Sequence, residues 1–143
     1  MIPGFQPDGL LPPGLHPATW DEFSQRYGWT EHRHRLLAGI KRALAALKAA
    51  GCKRVYIDGS FVTAKSAPND IDIVSELRTG HDFERDLPMS EYALVSRSLL
   101  RRRFGLDVVV AERESVVYKT YVEFFTRVRE VPELRKGLLR VTL

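Results

Sequence analysis

Apolar residues recur along this chain at two periods, and the places where the period changes mark its elements. From Thr30 to Ala50, Leu36, Ile40, Leu44 and Leu47 return at the helical interval while Arg35, Arg42 and Lys48 fall elsewhere on the wheel. That pattern predicts an amphipathic helix closed by Gly51. Before it, residues 18–27 predict a short helix in which Thr19 caps, Asp21 and Glu22 suit the first turn, and Gly28 stops the run. Trp20, Phe23 and Tyr27 form its packing stripe. Period-two runs predict strands at Lys53–Asp58 (Val55, Tyr56, Ile57) and at Asp70–Leu77, where Ile71 and Ile73 alternate against Asp70 and Asp72. Leu106–Ala111 reads as a third strand, and Gly137–Leu143, with Leu139 and Val141 alternating, as a closing one.

Two further helices are predicted. One spans Ser90–Phe104, capped by Ser90 and ended by Gly105; the other spans Val117–Val128, with Tyr118, Tyr121, Val122, Phe125 and Val128 on one core-facing stripe. The order α, α, β, β, α, β, α, β implies an α/β (α+β) fold, a small mixed sheet with flanking helices. Ahead of these elements, residues 1–17 hold five prolines and three glycines and cannot form a helix. They read as an extended leader, or as a disordered tail, to a single domain over residues 18–143. The leader packs through Phe5, Leu10 and Leu11 over that domain, or over a partner copy in a homo-oligomer.

Composition bounds what such a domain can do. With 143 residues, 44% apolar and 28% charged, the chain supports one core, so a large second substrate must come from outside. The formal charge of +4 permits polyanion partners without requiring them. A single cysteine, Cys52, excludes an intrachain disulfide framework and a cysteine zinc cluster. Residues 1–15 carry no Lys or Arg, unlike a signal peptide, and no apolar run approaches the roughly 18 residues of a membrane span. The expectation is a cytoplasmic protein with no membrane contact. His32 and His34, two apart on a helix, do not share a face, and His16 and His81 have no nearby metal-ligand partners.

The densest chemistry lies between Asp58 and Val74. Residues two apart on a strand point the same way, so Asp70 and Asp72 project together while Ile71 and Ile73 enter the core. Two close carboxylates raise each other's cost of ionisation, and hard Mg²⁺ is a fitting neutraliser. Gly59 lets backbone amides approach a phosphate, and the Ser60 hydroxyl can donate to one. Asp107, at the head of an otherwise apolar strand, is the natural third metal ligand, because an unpaired charge there is costly. Asp58 reads first as a strand-ending turn residue and second as a further acid reaching the site, and Lys65 as a phosphate contact or a solvated loop lysine.

Gly59-Ser60, followed after nine residues by Asp70-Ile71-Asp72, with Asp107 in a later strand, resembles the DNA polymerase beta-like nucleotidyltransferase superfamily over roughly Leu36 to Val110. More narrowly, Gly9–Gly14, Tyr56–Thr63 and Pro68–Asp72 look like a group of short bacterial nucleotidyltransferase-like proteins of uncharacterised function. The small size is also similar to the minimal nucleotidyltransferases of toxin and antitoxin pairs. The resemblance implies a nucleotidyltransferase-like fold and Mg²⁺-dependent transfer of a nucleoside monophosphate from a nucleoside triphosphate to a hydroxyl of a protein or RNA acceptor. In that reading Asp70, Asp72 and Asp107 hold metal, and Gly59, Ser60 and Lys65 bind nucleotide. The minimal enzymes commonly carry Arg-Gly just after the Gly-Ser turn. Here Thr63 and Ala64 stand there, with Lys65 following as the replacement cation.

Two other functions stay open. The same fold can serve as a non-catalytic binding or antitoxin module, with its nucleotide site weakened at Thr63 and Ala64. Alternatively, Arg101, Arg102 and Arg103 can bind an RNA backbone, although cations before Gly105 are also what a helix C-terminus favours.

Overall fold

A computed structural model describes residues 2–49, 51–68, 71–77, 101–102, 106–112, 115–128 and 131–143. In chain order these form β1 (Gly14–Ala18), α1 (Trp20–Tyr27), α2 (Glu31–Ala49), β2 (Cys52–Asp58), a single 3₁₀ turn (Ser60–Val62) and β3 (Asp72–Leu77). They continue with β4 (Asp107–Glu112), α3 (Val116–Phe125), β5 (Arg127–Val128), β6 (Val131–Arg135) and β7 (Gly137–Thr142). Five strands make a mixed sheet in the order β1-β7-β2-β3-β4, and β5 and β6 pair separately. β1–β7 and β3–β4 are parallel, whereas β2 is antiparallel to both its neighbours. The fold is thus the small mixed sheet with flanking helices that the period changes imply.

Local chemistry sets the helix starts. The Thr19 hydroxyl accepts from the Glu22 N–H (3.1 Å), so the first helix begins at Trp20 rather than at residue 18. The Thr30 hydroxyl accepts from the Arg33 N–H in the same way (3.1 Å). Ser115 caps α3 through the Tyr118 N–H. That last helix is shorter than its apolar stripe suggests. Thr126 turns back on the Glu123 carbonyl through both its hydroxyl (2.6 Å) and its N–H (3.1 Å), and the chain leaves as β5. Of the helix predicted over Ser90–Phe104 only Arg101 and Arg102 are among the described residues, and both are helical.

Side-chain alternation sorts the sheet's two faces. Val55, Ile57, Ile73, Val108, Leu139 and Val141 point toward α1 and α2 and join Phe23, Tyr27, Leu37, Ile40, Leu44, Leu47 and Phe61 in the larger core. The opposite face carries Tyr56, Val74, Ala111 and Leu138 against Tyr118 and Phe125 of α3. The leader closes the larger core from outside: Leu11 is buried in it, and Ile2 and Phe5 pack on its margin. The Leu11 carbonyl takes the Gly137 N–H (3.1 Å) and the Gly9 carbonyl takes the Ala64 N–H (3.0 Å), so the proline-rich segment is tied to both β7 and the loop after Gly59. Its last four residues, Gly14–Pro17, with Ala18 form the edge strand β1. No helix among the described residues is long and apolar enough to cross a membrane.

Cys52 begins β2 and is buried in the same core. Burial pushes its thiol up to about 11, with the Ser75 hydroxyl pulling slightly the other way. The neutral thiol is therefore the native form at physiological pH, and alkylation by iodoacetamide at pH 8 is expected only as fast as the chain unfolds, a rate readable by mass spectrometry. Because the unfolded thiol ionises first, this group's contribution to stability is complete below about pH 9 and is lost as pH rises toward 11.

Candidate functional site

Strand register assembles the acids. Asp58 of β2 lies opposite Asp72 of β3, and Asp72 lies opposite Asp107 of β4. Directly opposed residues share a sheet face, with neighbouring strands about 4.8 Å apart. Asp58, Asp72 and Asp107 therefore form one transverse row on the α3 face, at the end of the sheet where β2 finishes and β3 and β4 begin. Asp58, at the end of its strand, is a member of this row and not solely a turn residue. Asp58 is 3% exposed, and Asp72 and Asp107 are half-buried. Asp70 lies outside the described residues; Ile71 and Ile73 point into the larger core, as the alternation requires.

Two cations meet this row. Lys136 Nζ, at the turn into β7, is 3.1 Å from Asp58 Oδ1, and Arg101 Nη2 is 3.0 Å from Asp107 Oδ2. Arg101, read from sequence as helix-end charge or RNA contact, is engaged with the site's own acid. Arg102 is exposed, and Arg103 lies outside the described residues. The donor set of the row is all oxygen, the chemistry of a hard cation. Among the described residues no three His, Cys, Asp or Glu side chains already converge as a metal cage.

Immediately after Asp58 the backbone turns at Gly59 with φ 91° and ψ −178°, a region essentially confined to glycine. Ser60 follows in the 3₁₀ turn, where its carbonyl accepts from both the Thr63 N–H (3.2 Å) and the Thr63 hydroxyl (2.6 Å). The continuing loop is held from α2. The wholly buried Arg33 donates to the carbonyls of Phe61 (2.7 Å), Thr63 (2.8 Å), Lys65 (2.6 and 3.2 Å) and Tyr27 (3.3 Å). Its guanidinium lies 3.7 Å from the Trp29 ring centroid and 4.8 Å from that of Phe61. Burial lowers its pKa to about 10, which leaves it charged at neutral pH. His32 Nε2 donates to the Pro68 carbonyl (2.8 Å) and Thr30 to that of Ser66 (3.3 Å), so one turn of α2 fixes the loop leading toward β3. Lys65 has its carbonyl pinned while its side chain is exposed and makes no ion pair among the described residues.

Behind the acid row the same sheet face is closed by a buried polar chain. Tyr118 donates to Tyr56, Tyr56 to Glu76 Oε2 (3.1 Å), and Arg54 donates to Glu76 Oε1 through Nη2 (2.9 Å) and Nε (3.2 Å). Burial and the Tyr56 hydroxyl push the Tyr118 hydroxyl well above its usual range, and Glu76 raises Arg54. Each member is partnered, so this chain fixes α3 over the sheet as structure.

Sequence reasoning missed Arg33 and Lys136, and put Asp58 at the site only as its second reading. Arg33 had a readable signal: it stands four residues before Leu37 and seven before Ile40, on the buried stripe of an otherwise amphipathic helix. Asp58 shared strand parity with buried Tyr56. Lys136 meets Asp58 only through the long-range pairing of β7 with β2, which no local pattern announces.

A mixed sheet presenting a glycine turn and a row of in-register carboxylates defines a small α+β protein with a polar site at one sheet end. Over residues 3–142 the chain matches the family of unknown function DUF6932, and it belongs to that family. No curated protein and no solved structure matches it.

Proposed function

We propose that this protein is a Mg²⁺-dependent nucleotidyltransferase that moves a nucleoside monophosphate from a nucleoside triphosphate to a hydroxyl of a protein or RNA acceptor, with pyrophosphate leaving. The observation that carries the reading is the Asp58–Asp72–Asp107 row set directly beside the Gly59–Ser60 turn. Gly59 keeps the approach to its backbone free of a side chain, and the Ser60 hydroxyl is a donor for phosphate oxygen. Asp72 and Asp107, with Asp70 from the same motif, are the residues to hold the ion. An Mg²⁺ ion held by these carboxylates would supply positive charge that lowers the pKa of the acceptor hydroxyl and offsets the charge of the departing phosphates. Arg33 keeps the phosphate loop in place through its carbonyls, and Lys65 offers an exposed cation at the loop's far end. The single, buried thiol fits a reducing setting such as the bacterial cytoplasm, where a toxin or antitoxin partner is the expected company.

A second reading has its own observation. Arg101 and Lys136 already neutralise Asp107 and Asp58, which is what a non-catalytic module, stable without metal, requires. Thermal unfolding separates the two. With each nucleoside triphosphate at about 100 times its dissociation constant, Mg²⁺ should stabilise the wild type by roughly 2.7 kcal/mol, a rise of several degrees in Tm. Asp72→Ala should fold and show no rise. Absence of a rise with every nucleotide in the wild type favours the binding module.

A further inference from the structure

The outer face of α2 is not used by the site described above. From residue 34 to 49 its exposed positions carry Arg35, Lys41, Arg42 and Lys48, with Ala38 and Ala45 between them and no acid. Glu31, in the helix's first turn, is the helix's one acid and sits 3.9 Å from Arg35. Lys41, Arg42 and Lys48 make no ion pair among the described residues. Arg35 and Arg42, and Lys41 and Lys48, are each seven apart, so the cations form two neighbouring lines with ~10 Å between the charges of each. Alanines between them let a backbone lie close to the helix. An open groove of about 450 Å³ runs beside this stripe between α1 and α2, where Gln25, His34, Lys41 and the half-buried Trp20, whose indole also packs on Phe23, are among its walls.

We propose that this groove and stripe bind a single-stranded polynucleotide, with phosphates on the α2 cations and a base against Trp20. A cationic track flanked by an aromatic ring is the recurring way that proteins hold single strands. The face has no large exposed apolar side chain to enter a lipid surface, and an acidic peptide would make no use of the indole wall. Thr30, His32 and Arg33 at the start of α2 hold the loop that begins at Gly59, while the acid row lies on the opposite, α3 face of the sheet. The binding itself does not rest on the proposed transferase activity.

Fluorescence anisotropy with labelled RNA and DNA oligonucleotides of about 12 residues, within the usual site sizes, tests it on the full chain. Binding to the wild type should weaken about 20-fold between 50 and 200 mM salt, as expected for about three phosphate contacts on a single strand. A variant carrying Lys41→Gln, Arg42→Gln and Lys48→Gln, with an unchanged melting temperature, should bind at least about tenfold more weakly and with a shallower salt slope. Asp72→Ala should bind as the wild type does, so loss of its Mg²⁺-nucleotide response and loss of oligonucleotide binding fail independently. Tighter binding of RNA or of DNA identifies which strand the surface takes. The proposal is overturned if neither oligonucleotide binds at 50 mM salt, if the triple variant binds like the wild type, if Arg101→Gln with Arg102→Gln removes the binding instead, or if poly-glutamate competes as well as the unlabelled oligonucleotide.

Discussion

Arg33→Ala is expected to lower the unfolding free energy by about 4 kcal/mol, read as a fall in the urea midpoint. The side chain is wholly buried, and its donors reach the carbonyls of four residues, Tyr27, Phe61, Thr63 and Lys65. Truncation leaves those carbonyls without their partner, at about 1–3 kcal/mol for each that water cannot reach. It also removes the plane stacked on Trp29. Water entering the opened loop recovers part of this, which keeps the total below the sum. Arg33→Lys should recover little, because an ammonium has three donors and no planar fork to span four carbonyls. The loop that follows Gly59 is what the guanidinium holds, so Mg²⁺-dependent nucleotide binding should weaken together with stability. A loss under about 1 kcal/mol would mean that the loop is held by something else.

Gly137→Ala is expected to cost about 3 kcal/mol, near the upper end for overpacking, and to lower Tm by roughly 10 °C for a chain of this size. A Cβ at position 137 would stand 2.1 Å from the Pro12 carbonyl oxygen and 2.7 Å from His16 Nε2. Neither can retreat freely. The His16 ring donates to that same Pro12 carbonyl, and the neighbouring Leu11 carbonyl holds the Gly137 N–H at 3.1 Å. The relief available is separation of β1 from β7, which pulls Leu11 from the core it fills. Gly4→Ala is the control: nothing lies within 4 Å of its Cβ, and its stability should be unchanged. Equal midpoints for the two variants would show that the leader can be displaced from the sheet without cost.

These two positions mark where the sequence was and was not legible. Elements made by local periodicity were readable: α2 from its apolar stripe, β2, β3, β4 and β7 from alternation, α1 from the Thr19 cap. β1 was not, because Gly-Leu-His-Pro-Ala carries no alternating apolar pattern and contains a proline. It is a strand by virtue of pairing with β7 at the far end of the chain, on an edge where Pro17 need not donate. The β5–β6 hairpin was hidden by the apolar stripe of α3, which runs on through Val128 although Thr126 ends the helix. In the candidate site, Asp72 and Asp107 stood out as acids among apolar strand residues, and register sets them side by side. Arg33 and Lys136 act through backbone carbonyls and a distant carboxylate, contacts that exist only once the chain has folded.

The most direct test of the acid row as a metal site is to count the metal that the protein immobilises. Mn²⁺ enters oxygen sites that take Mg²⁺, and its electron paramagnetic resonance signal distinguishes free from immobilised ion. Titrated with a nucleoside triphosphate present, wild-type protein is predicted to immobilise Mn²⁺ beyond what the nucleotide alone holds, whereas Asp72→Asn and Asp107→Asn, folded by their melting temperatures, return to the nucleotide-only curve. Wild type matching the nucleotide-only curve, or both variants matching wild type, would contradict the assignment of Asp72 and Asp107 as the metal-holding pair.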